Sequence, residues 1–285
     1  MNDSKADIII KNIIECSADA QISSAEIDLL IADLFSDIEI AHKSISDIKS
    51  SVLQKYEILE KALADICSPY DIAKICVSIS NFIATHKNIS FETDYLLLSK
   101  QKSISIAYWN SNSYAREAAL AFSELFETYT EIHSESFTAV CESISSDDVL
   151  GVIPMINSTD GRLMAFYRLL DKYDLKINAT HNVENPNGDG FTKFALVGKQ
   201  LHNLKNDKYT NIEFSFNGDI VTFIYAASLV GCRIKEVTSI PSHYSENEPL
   251  NYITASVKKY DIYCWWWFLY LFGGEIELIG IYTEI

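Results

Sequence analysis

Three short polar groups offer the chemistry in this sequence. Asn157-Ser-Thr-Asp160-Gly161 follows an apolar run that ends at Pro154, Thr192 precedes a run that starts at Phe194, and Ser113-Tyr114 follows one that ends at Tyr108. Amides and hydroxyls of this kind hydrogen-bond a polar or anionic small molecule. A hydroxyl can also orient a leaving group when a polarised network surrounds it. In an open α/β sheet, ligands bind outside the carboxyl ends of strands, which is where 113–114 and 157–160 would lie. The same residues have another use: Ser158, Thr159 and Asp160 all suit an N-cap before a helix starting near Leu163. Spacing alone leaves both readings open.

Other chemistry finds little support. None of the six histidines (His42, His86, His133, His181, His202, His243) stands at metal-ligand spacing from a second histidine or a cysteine, so no metal is expected. No glycine-rich phosphate loop and no G-x-S-x-G is present, and no cofactor is expected. Ser46-Asp-Ile-Lys49 has S-x-x-K spacing, but lies in a helical stripe without its partner motifs. The six cysteines are scattered without a C-x-x-C pair, which fits reduced thiols and a cytoplasmic location. Acidic residues outnumber basic ones by 39 to 23, for a net charge of −16, which argues against nucleic-acid and anionic-membrane partners. The apolar segment Cys264-Trp-Trp-Trp-Phe-Leu-Tyr-Leu-Phe272 is too short to span a bilayer and reads as a buried helix or subunit contact.

The elements that must position these groups follow from periodicity. With 48% hydrophobic residues the 285-residue chain can bury substantial cores. Ser23-Ser-Ala-Glu26 has capping-box spacing, and apolar residues then recur at helical spacing from Ile27 to Ile48. A second stripe runs from Val52 to Ile66. A third carries Ile72, Ile75, Ile79, Phe82 and Ile83 after Ser68-Pro69. From Leu96 strands alternate with helices: a strand over 103–108, a helix over 115–129, a strand over 149–154, a helix over 163–173 and a strand over 194–197. Asn185-Pro-Asn-Gly-Asp-Gly190 is a loop. From Asn211 the order is strand (212–216), helix (219–229), strands (233–239 and 252–257), helix (262–272) and strand (277–282), the ferredoxin-like βαββαβ motif.

At these residues the sequence resembles the bifunctional chorismate mutase/prephenate dehydratases. Val152-Ile-Pro-Met-Ile-Asn-Ser-Thr-Asp-Gly161 is similar to the family's V-P-I-E-N-S-x-x-G, and Phe191-Thr-Lys-Phe194 to its T-R-F signature. Ile106 to Tyr108 with Ser113-Tyr114 and Ala118-Ala119 is similar to the opening G-P-x-G-S-Y…A-A. Gly231-Cys-Arg-Ile-Lys-Glu-Val-Thr-Ser-Ile-Pro241 and Leu278-Ile-Gly-Ile-Tyr282 resemble motifs of the regulatory ACT part.

The resemblance implies an α+β multi-domain chain. Its parts are a helical mutase-like hairpin or bundle (1–95), one α/β lobe of a dehydratase-like, periplasmic-binding-protein-like domain (96–205), and an ACT-like βαββαβ domain (206–285). It implies prephenate or a related cyclohexadienyl acid as substrate, Thr192 as the catalytic hydroxyl, and Asn157, Ser158, Ser113 and Lys193 as substrate-binding groups. The implied activity is a prephenate-utilising lyase, losing carbon dioxide with or without the ring hydroxyl, in phenylalanine or related specialised biosynthesis. A lone hairpin of long helices buries little on its own, so a homodimer or higher oligomer is expected. The alternative is a catalytically dead paralogue that regulates or binds a partner.

The departures bear on that choice. Ile156 stands at the family's glutamate and Lys193 at its T-R-F arginine. Thr192 follows Asn157 by only 35 positions, where the family has most of a second lobe. No arginine precedes Arg116, and Ile38 aligns with a key mutase arginine, so no mutase activity is expected although Lys49 falls on the family's lysine. Thr238-Ser-Ile-Pro241 lacks both charged residues of the family's phenylalanine-binding E-S-R-P.

Overall fold

The computed structural model describes residues 5–18, 24–35, 54, 74–75, 77–79, 103–185, 188–201, 209–229, 232–241, 249–258 and 276–285. The chain divides into two compact units, 1–94 with 215–277, and 95–214 with 278–285.

In the first unit, α1 (Lys5–Ala18) packs against α2 (Ser24–Phe35). Ile9, Ile10 and Ile13 of α1 and Ile27, Ile31 and Leu34 of α2 are buried, the i, i+4 stripe that periodicity indicates. Ile75 and Ile79, from the third stripe, are buried too. The same unit holds α6 (Ile220–Leu229), which packs on β8 (Arg233–Pro241); β8 pairs antiparallel with β9 (Pro249–Lys258). Asp219 caps α6, its carboxylate accepting from the backbone N–H of Val221 at 3.0 Å and from the Thr222 hydroxyl. The expected capping box at Ser23, nearly all of the stripe over 52–66, the end of the stripe beyond 35, the Ser68-Pro69 cap and the helix over 262–272 lie outside the described residues.

The second unit is a mixed α/β layer. Its elements are β1 (Ser103–Trp109), α3 (Ser113–Ser123), β2 (Thr128–Ser134), α4 (Phe137–Ser143), β3 (Val149–Asn157), β4 (Gly161–Arg162), α5 (Met164–Tyr173), β5 (Lys176–Glu184), β6 (Phe191–Gly198), β7 (Tyr209–Phe216) and β10 (Ile276–Glu284). Strand order is β2-β1-β3-β6-β5-β10-β7, with β4 beside β3. β1 runs parallel to β2 and β3, β6 antiparallel to β3 and β5, and β10 parallel to β5.

Two helix layers cover this sheet. Ile104, Ile106, Tyr108, Leu150, Val152, Ala179, Val183, Phe194 and Leu196 form one core with Ala115, Ala118, Ala119 and Phe122 of α3. Gly151, between Leu150 and Val152, therefore faces the other way, and a Cβ there would meet Val140 and Ile144 at 2.8 and 2.7 Å. Thus α3 covers one face and α4 the other; α5 packs beside α4 and β3.

Two expectations are corrected. The helix expected over 115–129 ends at Ser123, and 128–134 forms β2. Thr128-Tyr-Thr130 is β-branched and aromatic, which favours pairing beside β1; its largely exposed residues give an edge strand with a weak apolar signal. The C-terminal strand also does more than close a separate module: β10 lies between β5 and β7. Among the described residues no helix is long and apolar enough to cross a membrane.

The β10–β5 seam is tight. Gly280 sits opposite Ile177, and a Cβ at Gly280 would meet the Ile177 Cβ at 2.6 Å and its carbonyl oxygen at 2.9 Å. Backbone cannot yield as a flexible side-chain end can. Gly280→Ala is expected to cost about 1–3 kcal/mol of stability, read as a lower denaturant midpoint at unchanged slope. A midpoint equal to the parent's would show that the seam is not this close.

Candidate functional site

Two of the polar groups singled out in the sequence, Asn157 and Thr192, meet at the β3–β6 end. Asn157 pairs with Thr192 across the ladder, and Thr192 with Val183 of β5. Paired residues share a face, so this row lies on the side covered by α3, the helix that Ser113 opens. Ser113 does not cap that helix. Asn112 does, its side chain accepting from the Ala115 backbone N–H at 2.9 Å.

Much of the motif is engaged in local structure. Asn157 Oδ1 accepts from the backbone N–H groups of Thr159 at 2.9 Å and Asp160 at 3.3 Å, closing the turn into β4. Ser158 Oγ accepts from the Phe191 N–H at 2.9 Å, and the Ser158 N–H donates to the Phe191 carbonyl at the same distance. Gly190 leaves room for this contact, since a Cβ there would lie 2.2 Å from Ser158 Oγ. The helix-capping use does not occur: Leu163 is the N-cap of α5 and makes no side-chain cap bond. Thr192 is half-buried.

Charge lies on the opposite face. Ile156 pairs with Arg162 of β4 on one side and Lys193 of β6 on the other, and Lys193 pairs with Asn182 of β5. Lys193 Nζ is 3.0 Å from Glu284 Oε2, and Asn182 Nδ2 donates to Glu284 Oε1 at 2.6 Å. Arg162 Nη1 is 2.7 Å from Glu213 Oε1, with the two side chains 5% and 0% exposed. Tyr167 donates to Glu213 Oε1 at 2.5 Å and Tyr282 to Oε2 at 2.7 Å, and Arg162 Nη1 also bonds the Tyr167 hydroxyl. Thus Lys193, though next to Thr192 in sequence, points to the other side of the sheet.

Sequence reasoning missed this buried network. Glu213 lies in Ile212-Glu-Phe214, whose alternation reads as one apolar and one solvated face, yet both faces are covered. A signal existed in Arg162: it is one of four arginines and directly follows the Asn157–Gly161 group.

A second feature opens beside α4 and α5, a cavity of about 430 Å³ lined by Trp109, Phe137, Pro154, Leu163, Leu169, Arg168 and Lys172 among others. The Trp109 and Phe137 rings meet edge to face at 5.0 Å. Among the described residues no histidine, cysteine or carboxylate group is arranged to hold a metal. Burial pushes the Cys141 and Cys232 thiols up to about 12, which keeps them protonated.

No protein-family model and no curated protein matches the chain. In structure it is similar to prephenate dehydratase from Streptococcus mutans, with a TM-score of 0.53 at 16% identity, over 64% of this chain and 100% of that one. Prephenate dehydratase from Staphylococcus aureus subsp. aureus Mu50 gives 0.47 at 12% identity, over 63% and 99%. A structure described as a novel type of quorum-quenching acylase also gives 0.47, at 14% identity over 64% and 95%. The first likeness shows a prephenate-dehydratase-like fold.

The network makes stability depend on alkaline pH. Burial, then the Glu213 charge, raises the Tyr167 and Tyr282 phenols well above their ordinary value. Above about pH 10 an unfolded chain releases phenolic protons that these two retain when folded, so stability falls as pH rises. Denaturant titrations from about pH 9 to about pH 11 are expected to show a steeper loss for the parent than for the Tyr167→Phe/Tyr282→Phe variant. Equal slopes would contradict the buried placement of these phenols.

Proposed function

We propose that this chain is a small-molecule-binding protein on a dehydratase-like scaffold, without efficient prephenate lyase turnover. One observation carries the reading: the cations that flank the Asn157–Thr192 row, Arg162 and Lys193, lie on the opposite face, each held by a glutamate. Prephenate brings two carboxylates, and its hydroxyl must depart. Capture of the first and help for the second both draw on charge placed at the reacting group. Two of the motif's oxygens, Asn157 Oδ1 and Ser158 Oγ, already accept backbone hydrogen bonds.

A second reading, the prephenate-utilising lyase of phenylalanine-related biosynthesis, keeps one support. Thr192 stands beside Asn157 at the β3–β6 end, half-buried, and its hydroxyl makes no hydrogen bond among the described residues. A threonine hydroxyl has little acidity of its own, so turnover there would rest on orientation alone.

We extend the proposal to the rest of the chain. The segment 1–95 is mutase-like without mutase chemistry, because no arginine precedes Arg116. The strand–helix–strand–strand order over 209–258, with a strand at 276–284, supports an ACT-like reading of 206–285. Its Thr238-Ser-Ile-Pro241 offers no charged pair for an amino acid. A cytoplasmic homodimer or higher oligomer is the assembly expected.

Prephenate incubated with purified protein, followed by mass spectrometry against buffer, decides between the two readings. The proposal expects product at the buffer rate and no change in Thr192→Val. Protein-dependent phenylpyruvate, or a hydroxyl-retaining decarboxylated product, lost by a factor of about 10²–10⁴ in Thr192→Val, would overturn it in favour of the lyase.

A further inference from the structure

The cavity beside α4 and α5 has the make-up of a binding site in its own right. Trp109 is the last residue of β1. Ile104, Ile106 and Tyr108 belong to the α3 core, so alternation turns Trp109 to the other face, where it meets Phe137 at the start of α4. Ser136 holds that helix start in place, its hydroxyl accepting from the Ala139 N–H at 3.1 Å. Across the opening, α5 buries Phe166, Tyr167 and Leu170, and Phe166, Arg168, Leu169 and Lys172 line the cavity. The cavity thus lies at the carboxyl end of β1, the usual position for a ligand in an open α/β sheet. Its volume, about 430 Å³, is that of a small-molecule site.

The lining sets the ligand's chemistry. Aromatic and aliphatic side chains dominate, so the body of the ligand is apolar and flat enough to lie along Trp109 and Phe137. The two charges on the wall are both positive and one helical turn apart, within joint reach of a single carboxylate. Lys172 remains a cation: a hydrogen bond with Tyr173 leads the causes that raise its pKa. The chain as a whole carries −16, a field that disfavours multiply charged anions and leaves capture to this local pair.

We propose that this cavity binds a small aryl monocarboxylate, with its ring against Trp109, Phe137 and Leu169 and its carboxylate between Arg168 and Lys172. The assignment deepens, and rests on, the reading of the chain as a binding protein. It names a site separate from the Asn157–Thr192 row.

Calorimetric titration of the full chain with 3-phenylpropionate, 3-phenylpropionamide and propionate tests it. The acid is expected to bind about fivefold or more tightly than the amide, the factor of an ion pair near the surface, and propionate far more weakly than either. Arg168→Gln/Lys172→Gln changes two exposed side chains and is expected to remove the preference for the acid over the amide, weakening the acid more than the amide. Equal affinity for acid and amide, equal affinity for propionate and 3-phenylpropionate, or no binding of any probe at millimolar concentration would overturn the assignment. These outcomes are independent of prephenate turnover: failed aryl-acid binding without turnover sinks the site alone, whereas turnover sinks the broader reading whatever the cavity binds.

Discussion

A carboxylate with no exposure sets the terms for the dehydratase-like unit. Glu213 is wholly buried, and an isolated charge there would cost several kcal/mol. Arg162 supplies the countercharge, and Tyr167 and Tyr282 donate hydroxyls to its two oxygens. Four elements are tied by these bonds: β4, α5, β7 and β10. A buried pair of this kind adds little net stability over an apolar replacement, but breaking it by removing one partner is expensive. Its effect is to specify an arrangement in which the C-terminal strand and the segment after Asn157 must be present together. Gly280 lets β10 approach β5 closely, on the side where Glu284 reaches Asn182 and Lys193.

That constraint changes what the shared motif does. Ile156 places an apolar side chain in the middle of a row that Arg162 and Lys193 flank. Glu213 and Glu284, from strands far along the chain, neutralise those cations. Meanwhile Asn157 and Ser158 stitch a turn and a strand end together. The residue types resemble those of a catalytic signature, yet their bonds here are largely those of a fold. Fold likeness to a dehydratase therefore does not transfer chemistry, and the site has to be argued from where each charge points.

Legibility in the sequence followed periodicity. Strands over 103–108, 149–154 and 194–197 and a helix over 163–173 are readable because each has one strongly apolar face or run; the structure extends the strands to 103–109, 149–157 and 191–198 and places the helix at 164–173. β5 escaped notice because Asn178, Thr180 and His181 interrupt its apolar signal, although Asn178 and Thr180 are buried. β2, an exposed edge strand, was absorbed into the preceding helix. Within the site, Asn157 and Thr192 were both singled out, and their direct pairing needed the register of β3 on β6. That Lys193 faces away from Thr192 follows from strand alternation, but the sequence reading starts this strand at Phe194, and only the structure extends it back to Phe191. The partnership of Arg162 with Glu213, 51 positions apart, was not readable, because no local pattern encodes a pair brought together by strand order.

A double-mutant cycle measures how far the Arg162–Glu213 pair holds the dehydratase-like unit together. Arg162→Met and Glu213→Gln, alone and combined, would be compared by equilibrium denaturation. Each single change is expected to cost about 3–5 kcal/mol by leaving its partner's charge or hydrogen bonds unmet, and the double variant at least about 2 kcal/mol less than their sum. Additive losses would show that the two side chains do not depend on each other and that this pair does not tie the unit together.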